Sequence, residues 1–454
     1  KTMAQKSIAQ KKNSFYLLSL LIIFIFAGKA FAQPEVHLSI RAGGSDYVGV
    51  NIDGFEAVQD TSGVFTGDSV PILAVRNTLA NDLDQSGIFK IIALHDSLKS
   101  QTGGLFAQLR NSGAKYYLFG KTSNNGTTVN VNLVDLKTAL TILGEEYIIH
   151  KDRPWHTAHV IADDLIELFG GLRGSTASQI AYMTPYKAKN NEIFLIDADG
   201  RGNRQLSYSN SLSISPNWSP DGKNLVFSTL TEENWVLRTI NVSTGRTQDI
   251  SDWPGQSLSP SFSPVNPDII AFSASRDGNN EIYTCRTDGK NLRRLTNHYK
   301  LDLSPTWSPD GKKIAFTSDR SGQPMIYVMN SDGSGVHRLT DRLNAYEGSP
   351  CWSPRGDRLV FVVLFDRSFD IATASPSGDD TVILTSGPGS KENPRWSPDG
   401  LKIVYTSTVG GSKNLYIMNS DGSNVRLLTK GINNFSPAWA PASSGNDTRV
   451  SSRR

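Results

Sequence analysis

One motif recurs through the larger part of this 454-residue chain at a nearly constant interval. It reads Ser-Pro-Asn-Trp-Ser-Pro-Asp-Gly at Ser215 to Gly222 and returns at Ser304 to Gly311, Ser349 to Gly356 and Asn393 to Gly400. A degenerate copy spans Ser259 to Pro264, and a truncated one spans Ser436 to Pro441. The anchoring aromatics are Trp218, Phe262, Trp307, Trp352, Trp396 and Trp439, spaced by 44, 45, 45, 44 and 43 residues. An interval of this length with four strand signals per unit specifies the blades of a β-propeller.

Within one unit, Pro305 to Ser308 reads as a first short strand and Pro309-Asp310-Gly311 as a turn. Lys313 to Ser318 is a β-rich second strand, Met325 to Asn330 an alternating third, and Val336 to Thr340 the fourth. The first unit, from Ser178 to Ser207, lacks an anchor strand, whereas Ser436 to Ala440 is an anchor strand with nothing after it. Joining that last strand to the first unit completes six blades and removes an open sheet edge. The anchor aromatics recur at structural positions, so they are expected to pack neighbouring blades together rather than to bind sugar. The repeated Asp-Gly pairs are read as turn chemistry rather than as calcium loops.

Ahead of the repeats, residues 57–175 alternate helix and strand signals. Helices are expected at Ile72 to Leu83, Leu105 to Asn111 and Trp155 to Phe169. Strands are expected at Phe89 to Leu94, Tyr116 to Gly120, Thr128 to Leu136 and Leu140 to Ile149. The expected fold is therefore an all-β six-bladed β-propeller over 176–441, preceded by a smaller α/β domain. Residues 33–56 are weakly patterned and are read as an extended N-terminal arm, and 442–454 as a polar C-terminal tail.

Residues 1–32 carry a basic start, an apolar run from Phe15 to Ala27 and the small-x-small triplet Ala30-Phe31-Ala32. These are the parts of a secretory signal cleaved after Ala32. The formal charge of +3 includes five lysines of that segment, so the remainder carries about −2, which offers nothing to nucleic acid. Export permits a disulfide, but Cys285 and Cys351 fall in blades three and five, so both are expected to be free, buried thiols. His156 and His159, three residues apart on the last helix, are read as surface or packing residues, because a metal would need further ligands.

Enzyme signatures are missing: the sequence has no G-x-S-x-G, no H-E-x-x-H, no P-loop and no G-x-G-x-x-G after a strand. No catalytic residue, metal ligand or cofactor site is assigned. The competing reading is a metal-dependent propeller hydrolase or the orphaned propeller of a peptidase.

The order of parts resembles the TolB family: a signal, an α/β domain, and Ser-Pro-x-Trp-Ser-Pro-Asp-Gly repeats ending in an orphan strand. Leu83 to Phe89, Gly113 to Gly120, Val131 to Asp135 and Arg153 to His159 are similar to stretches of that family's N-terminal domain. Blade three departs from the pattern, with Ser263-Pro264-Val265-Asn266-Pro267 in place of Asp-Gly, and the arm carries an unusual Gly43-Gly44-Ser45 and Tyr47. The resemblance implies a periplasmic, monomeric, non-enzymatic component of the Tol–Pal envelope system, peripheral to the membrane through its partners. It implies that the propeller mouth binds the lipoprotein Pal, that the arm and α/β domain engage TolA, and that some colicins exploit the propeller site. It also implies roles in outer-membrane integrity, protein transport and cell division.

Loops on a rigid scaffold carry function. The loops from each fourth strand to the next anchor strand are read as Tyr208 to Leu212, Gln256 to Leu258, Leu301 to Leu303, Tyr346 to Gly348, Lys391 to Glu392 and Ile432 to Phe435. The residues expected to dominate partner binding are Asp302, Tyr346, Glu347, Glu392, Asn433 and Asn434.

Overall fold

A computed structural model describes residues 47–56, 69–93, 104–186, 190–340, 346–431 and 433–450. The signal and all but the end of the expected arm lie outside the described residues.

The N-terminal domain is a five-stranded mixed sheet with helices. Its strands are β1 (Val48–Glu56), β2 (Phe89–Ile91), β3 (Tyr116–Ser123), β4 (Thr128–Asp135) and β5 (Thr141–Ile148), in the order β2-β1-β3-β4-β5. β1 runs parallel to both β2 and β3, whereas β3, β4 and β5 form an antiparallel meander. The helices are α1 (Ser69–Gln85), α2 (Leu105–Asn111) and α3 (Pro154–Gly170). α1 and α3 pack against each other. Pro154 opens α3, where its missing N–H costs nothing, and Gly171 closes it at φ 76°, a conformation glycine adopts freely. Phe169 of α3 meets the rings of Phe89 and Tyr116 edge-on at 5.2 and 5.1 Å, which seats the helix on the sheet.

β1 corrects the expected arm. Residues 48–56 are an interior strand with Val48, Val50, Ile52 and Phe55 buried. The Gly-rich stretch just before it and the glycines within it hid its alternation.

The propeller has six four-stranded sheets. Blade one is β29 (Phe435–Trp439), β6 (Gln179–Tyr186), β7 (Asn190–Asp197) and β8 (Arg204–Gln205). Blades two to six follow in chain order: β9–β12 (213–249), β13–β16 (257–294), β17–β20 (302–338), β21–β24 (347–383) and β25–β28 (391–427). The ring is closed as the sequence requires, with Phe435, Ala438 and Trp439 paired antiparallel to Met183, Ala181 and Ile180.

The anchors are packing residues. Trp218 lies among Met183 and Leu195 of blade one and Leu225 and Phe227 of blade two. Its indole N–H donates to the Ala438 carbonyl at 3.0 Å, and Trp307 donates to the Ser261 carbonyl at 3.2 Å. By packing, each anchor ties its own blade to the one before. The turn carboxylates are spent locally: Asp221 accepts from the Ser219 hydroxyl at 2.6 Å and the Lys223 amide at 3.1 Å, and Asp310 repeats the pattern.

The anchor strands begin earlier than the sequence suggests. Blade four's runs Asp302–Trp307, and its Ser304-Pro305 is a β-bulge inside the strand rather than its start. Ser215, Ser259, Ser304, Ser349, Asn393 and Ser436 all take positive φ, between 49° and 55°, at this point. The extra residue places the proline, which has no N–H to give, where the ladder is already interrupted. The steps at Ser215, Ser259, Ser304 and Ser349, with Asn393, line the central channel.

Cys285 is buried, and burial pushes its thiol up to about 12. Cys351 is also free but only half-buried, because its position after the Ser-Pro step lines the channel.

Candidate binding face

The propeller has two unlike ends. The first-to-second and third-to-fourth turns gather at one end, and the α/β domain docks there. The Lys402 ammonium donates to the Gln85 carbonyl, and the Arg201 guanidinium covers the Trp155 ring at 5.2 Å. The firmest tie runs through His159 of α3. Its Nδ1 is 2.6 Å from Asp82 of α1, and its Nε2 is 3.1 Å from Asp199 in a blade-one turn. With a carboxylate at each nitrogen, the ring holds both protons. Burial alone would favour the neutral ring, but the charge of Asp82 and the bonds to both carboxylates outweigh it and raise the pKa to about 10. The expectation of an ordinary packing histidine is thus replaced by an ionic clamp between domains. Asp163 of α3 then pins the linker, accepting from the Thr176 and Ala177 amides at 2.7 and 3.0 Å.

The C-terminal segment also returns to this domain. The Ile148 amide donates to the Thr448 carbonyl at 2.6 Å, the Val450 amide to the Glu146 carbonyl at 2.9 Å, and Arg449 pairs with Asp164. Residues 448–450 thereby extend the β5 edge, so this part of the polar tail is docked.

The opposite end carries the loops from fourth strand to anchor strand and the hairpins between second and third strands. Only part of the expected site is open there. Asp302 is fully buried, and both its oxygens accept from Arg320 Nη2, at 3.0 and 2.8 Å. Glu347 is buried as well; the Thr340 hydroxyl donates to one oxygen, the other has no hydrogen-bond partner among the described residues, and burial raises its pKa. Asn434 is buried and donates to Asn414 Oδ1 at 3.2 Å. These three placements correct the expectation of open loop residues. All three stand five positions before their anchors, with Ser213, Ser257 and Lys391, and all six are buried. The bulge starts each strand early and turns this position between blades, so a polar residue there holds the ring together.

Tyr346, Glu392 and Asn433 do reach the face. Tyr346 is 36 % exposed and meets Phe369 edge-on at 5.2 Å. Glu392 pairs with Lys413 at 2.9 Å, and Asn433 is exposed with φ 61°.

Tyr208 and Leu301, at the start of two expected loops, are open on this face, and Tyr299, Leu364, Phe365 and Val409 add apolar groups that the sequence reading did not place there. Tyr299 is 79 % and Tyr208 71 % exposed. Half-buried Ile214, Leu258, Leu303 and Phe435 stand one position further along the anchor strands. The signal available was that Leu364-Phe365 breaks the polar composition of the second-to-third-strand loops in blades two, three and four. So many large apolar side chains on one end form the kind of patch that marks a protein-binding surface. Among the described residues no group of three or more His, Cys, Asp or Glu side chains could hold a metal.

The sequence matches the TolB beta propeller domain family over residues 166–443. It is 32 % identical over 293 residues to a protein TolB homolog of Chlorobium chlorochromatii, covering 62 % of this chain and 64 % of that protein. It is 28 % identical over 437 residues to the Tol-Pal system protein TolB of Gluconobacter oxydans, covering 94 % and 93 %. The crystal structure of TolB from Acinetobacter baumannii superposes with a TM-score of 0.72 at 24 % identity, covering 87 % of this chain and 97 % of that one. At that identity the likeness speaks for the fold, and it extends to the α/β domain in front of the propeller.

Proposed function

The chain belongs to the TolB family, and on that premise we propose that it is a non-enzymatic, periplasmic component of the Tol–Pal system, exported by a signal cleaved after Ala32. Its open propeller end binds the outer-membrane lipoprotein Pal, and its N-terminal arm and domain engage TolA. In this role it supports outer-membrane integrity and envelope constriction at division. The observation that carries the reading is the segregation of surfaces. One propeller end is covered by the α/β domain, and the other presents Tyr208, Tyr299, Tyr346 and Phe365 around the channel. Tyr is suited to anchoring an interface, since it brings area and a polar tip at low entropic cost. The buried acids of this end are tied into the ring, so they act as scaffold rather than as contacts.

The test uses the chain from Gln33 and the soluble domain of the Pal lipoprotein encoded in the same genome, measured by titration calorimetry. The parent is expected to bind one to one. Tyr299→Ala with Phe365→Ala should weaken binding by about 2 kcal/mol or more, roughly thirtyfold, with an unchanged melting curve. Absence of parent binding would remove the Pal assignment. Full binding by the double variant would move the site off this face.

A further inference from the structure

The seam between the α/β domain and the propeller contains a cavity of about 120 Å³. Asn81, Asp82 and Gln85 of α1, His159 of α3, and Ser175 and Thr176 of the linker line one side. Asp199, Lys402, Arg426 and Trp439 of blades one and six line the other. A single water needs only ~10–15 Å³ by this measure, so the space exceeds one or two solvent molecules.

In the body of the propeller, buried Lys391 pairs with Asp370 at 3.1 Å, and half-buried Arg320 with buried Asp302 at 2.8 Å. Lys402 and Arg426 have no carboxylate within ion-pair distance among the described residues. The hydrogen bonds they make go to main-chain carbonyls, Lys402 to Gln85 at 2.5 Å and Arg426 to Ala198 at 2.6 Å. The nearby acids are already engaged. Asp82 and Asp199 flank the His159 imidazolium. Asp399 accepts from the Ser397 hydroxyl and, at 3.0 Å, from the Leu401 amide. Removal from water lowers the proton affinity of both Lys402 and Arg426, outweighing the pull of Asp399 and Asp82 on the first and of Asp199 and Asp82 on the second. Among the side chains that line the cavity, the His159 trio carries one net negative charge and the two cations two positive ones, leaving a surplus of one. An ammonium has three donors and a guanidinium five, so each has N–H groups left after its carbonyl.

We propose that this seam cavity is a binding site for a small oxyanion, of the phosphate or carboxylate class, held between Lys402 and Arg426 with Trp439 as its wall. The walls come from both domains, so an occupant favours their docked arrangement over any state in which they part. This is independent of which protein the open end binds.

The test is calorimetric titration of inorganic phosphate into the chain from Gln33, at fixed ionic strength with chloride as the balancing ion. One saturable site per chain and a phosphate-dependent rise in melting temperature are expected. Lys402→Met and Arg426→Met should each weaken phosphate by about tenfold or more, the loss of a charge-assisted hydrogen bond. Lys223→Met, on an exposed turn, should leave it unchanged. If a methionine variant does not fold, Arg426→Lys replaces it; this variant keeps the charge but loses the planar fork, and it should bind phosphate measurably more weakly. Absence of saturable binding by the parent overturns the proposal. So does phosphate affinity that is equal in the parent and in the folded seam variants.

Discussion

The two ends of the propeller are built from the same repeat and do opposite things. At the docked end the turns are short and nearly uniform, and their aspartates fold back on their own amides, as Asp310 does with Lys312 at 3.1 Å. The result is a regular platform, and the α/β domain is fastened to it by charge: the His159 clamp and the Lys402 contact to the Gln85 carbonyl. At the open end the connections vary in length and composition and leave aromatic and aliphatic groups unpacked. A repeat fixes a scaffold, and the positions where it is allowed to vary carry recognition.

Removing residues 434–454 should disturb both ends most. It deletes the strand that closes blade one and the segment that pairs with β5. Unfolding in urea should lose its single transition, since a ring without closure exposes an edge and a face at blades one and six. A sharp, undiminished transition would show that closure is not what holds the ring.

His159→Ala strikes the docked end alone. It strands Asp82 and Asp199 without the cation between them, at an expected cost of about 3–5 kcal/mol in chemical denaturation. Tyr299→Ala at the open end should lie within about 0.5 kcal/mol of the parent. Equal effects would abolish the distinction between a fastened end and a free one.

The clamp also gives the docked end a pH dependence. The folded pKa of His159, about 10, lies above its unfolded value near 6.5. Its stabilisation is therefore complete below about pH 6.5 and is lost as pH rises through about 10. Denaturation midpoints should fall between pH 7 and 10 in the parent, and the fall should be shallower in His159→Gln.

The smallest effect is expected at the ring position behind the open face. Glu347 is buried, one of its oxygens has no partner among the described residues and burial raises its pKa, so its ionised form is costly. Glu347→Gln should be neutral or up to about 1 kcal/mol stabilising at pH 8, and near neutral at pH 4, where the native side chain is protonated. A large loss at pH 8 would mean that the carboxylate charge itself supports the ring.

Much of this was legible in the sequence. Helices at Leu105–Asn111 and Pro154–Gly170 match the expected spans to within a residue, because their apolar spacing and glycine stops are local signals. The anchor spacing and the orphan strand determined six blades and their closure, because a blade's strands are neighbours in sequence and a repeat shows its own period. The first strand of the α/β domain was missed because glycines mask its alternation. Burial of Asp302, Glu347 and Asn434 was missed because the bulge at Ser-Pro moves the strand start, and the blades on either side decide what is covered.

What the chain determines by itself is thus whatever short-range pattern encodes: strand, turn, blade and their number. Only the tertiary structure decides where distant residues meet. Asp82 and Asp199 stand 77 and 40 residues from His159, and Lys402 lies 317 residues from the Gln85 carbonyl it binds. The charge state of His159 is a property of that meeting, since a histidine takes its pKa from its neighbours and its burial rather than from its place in the chain.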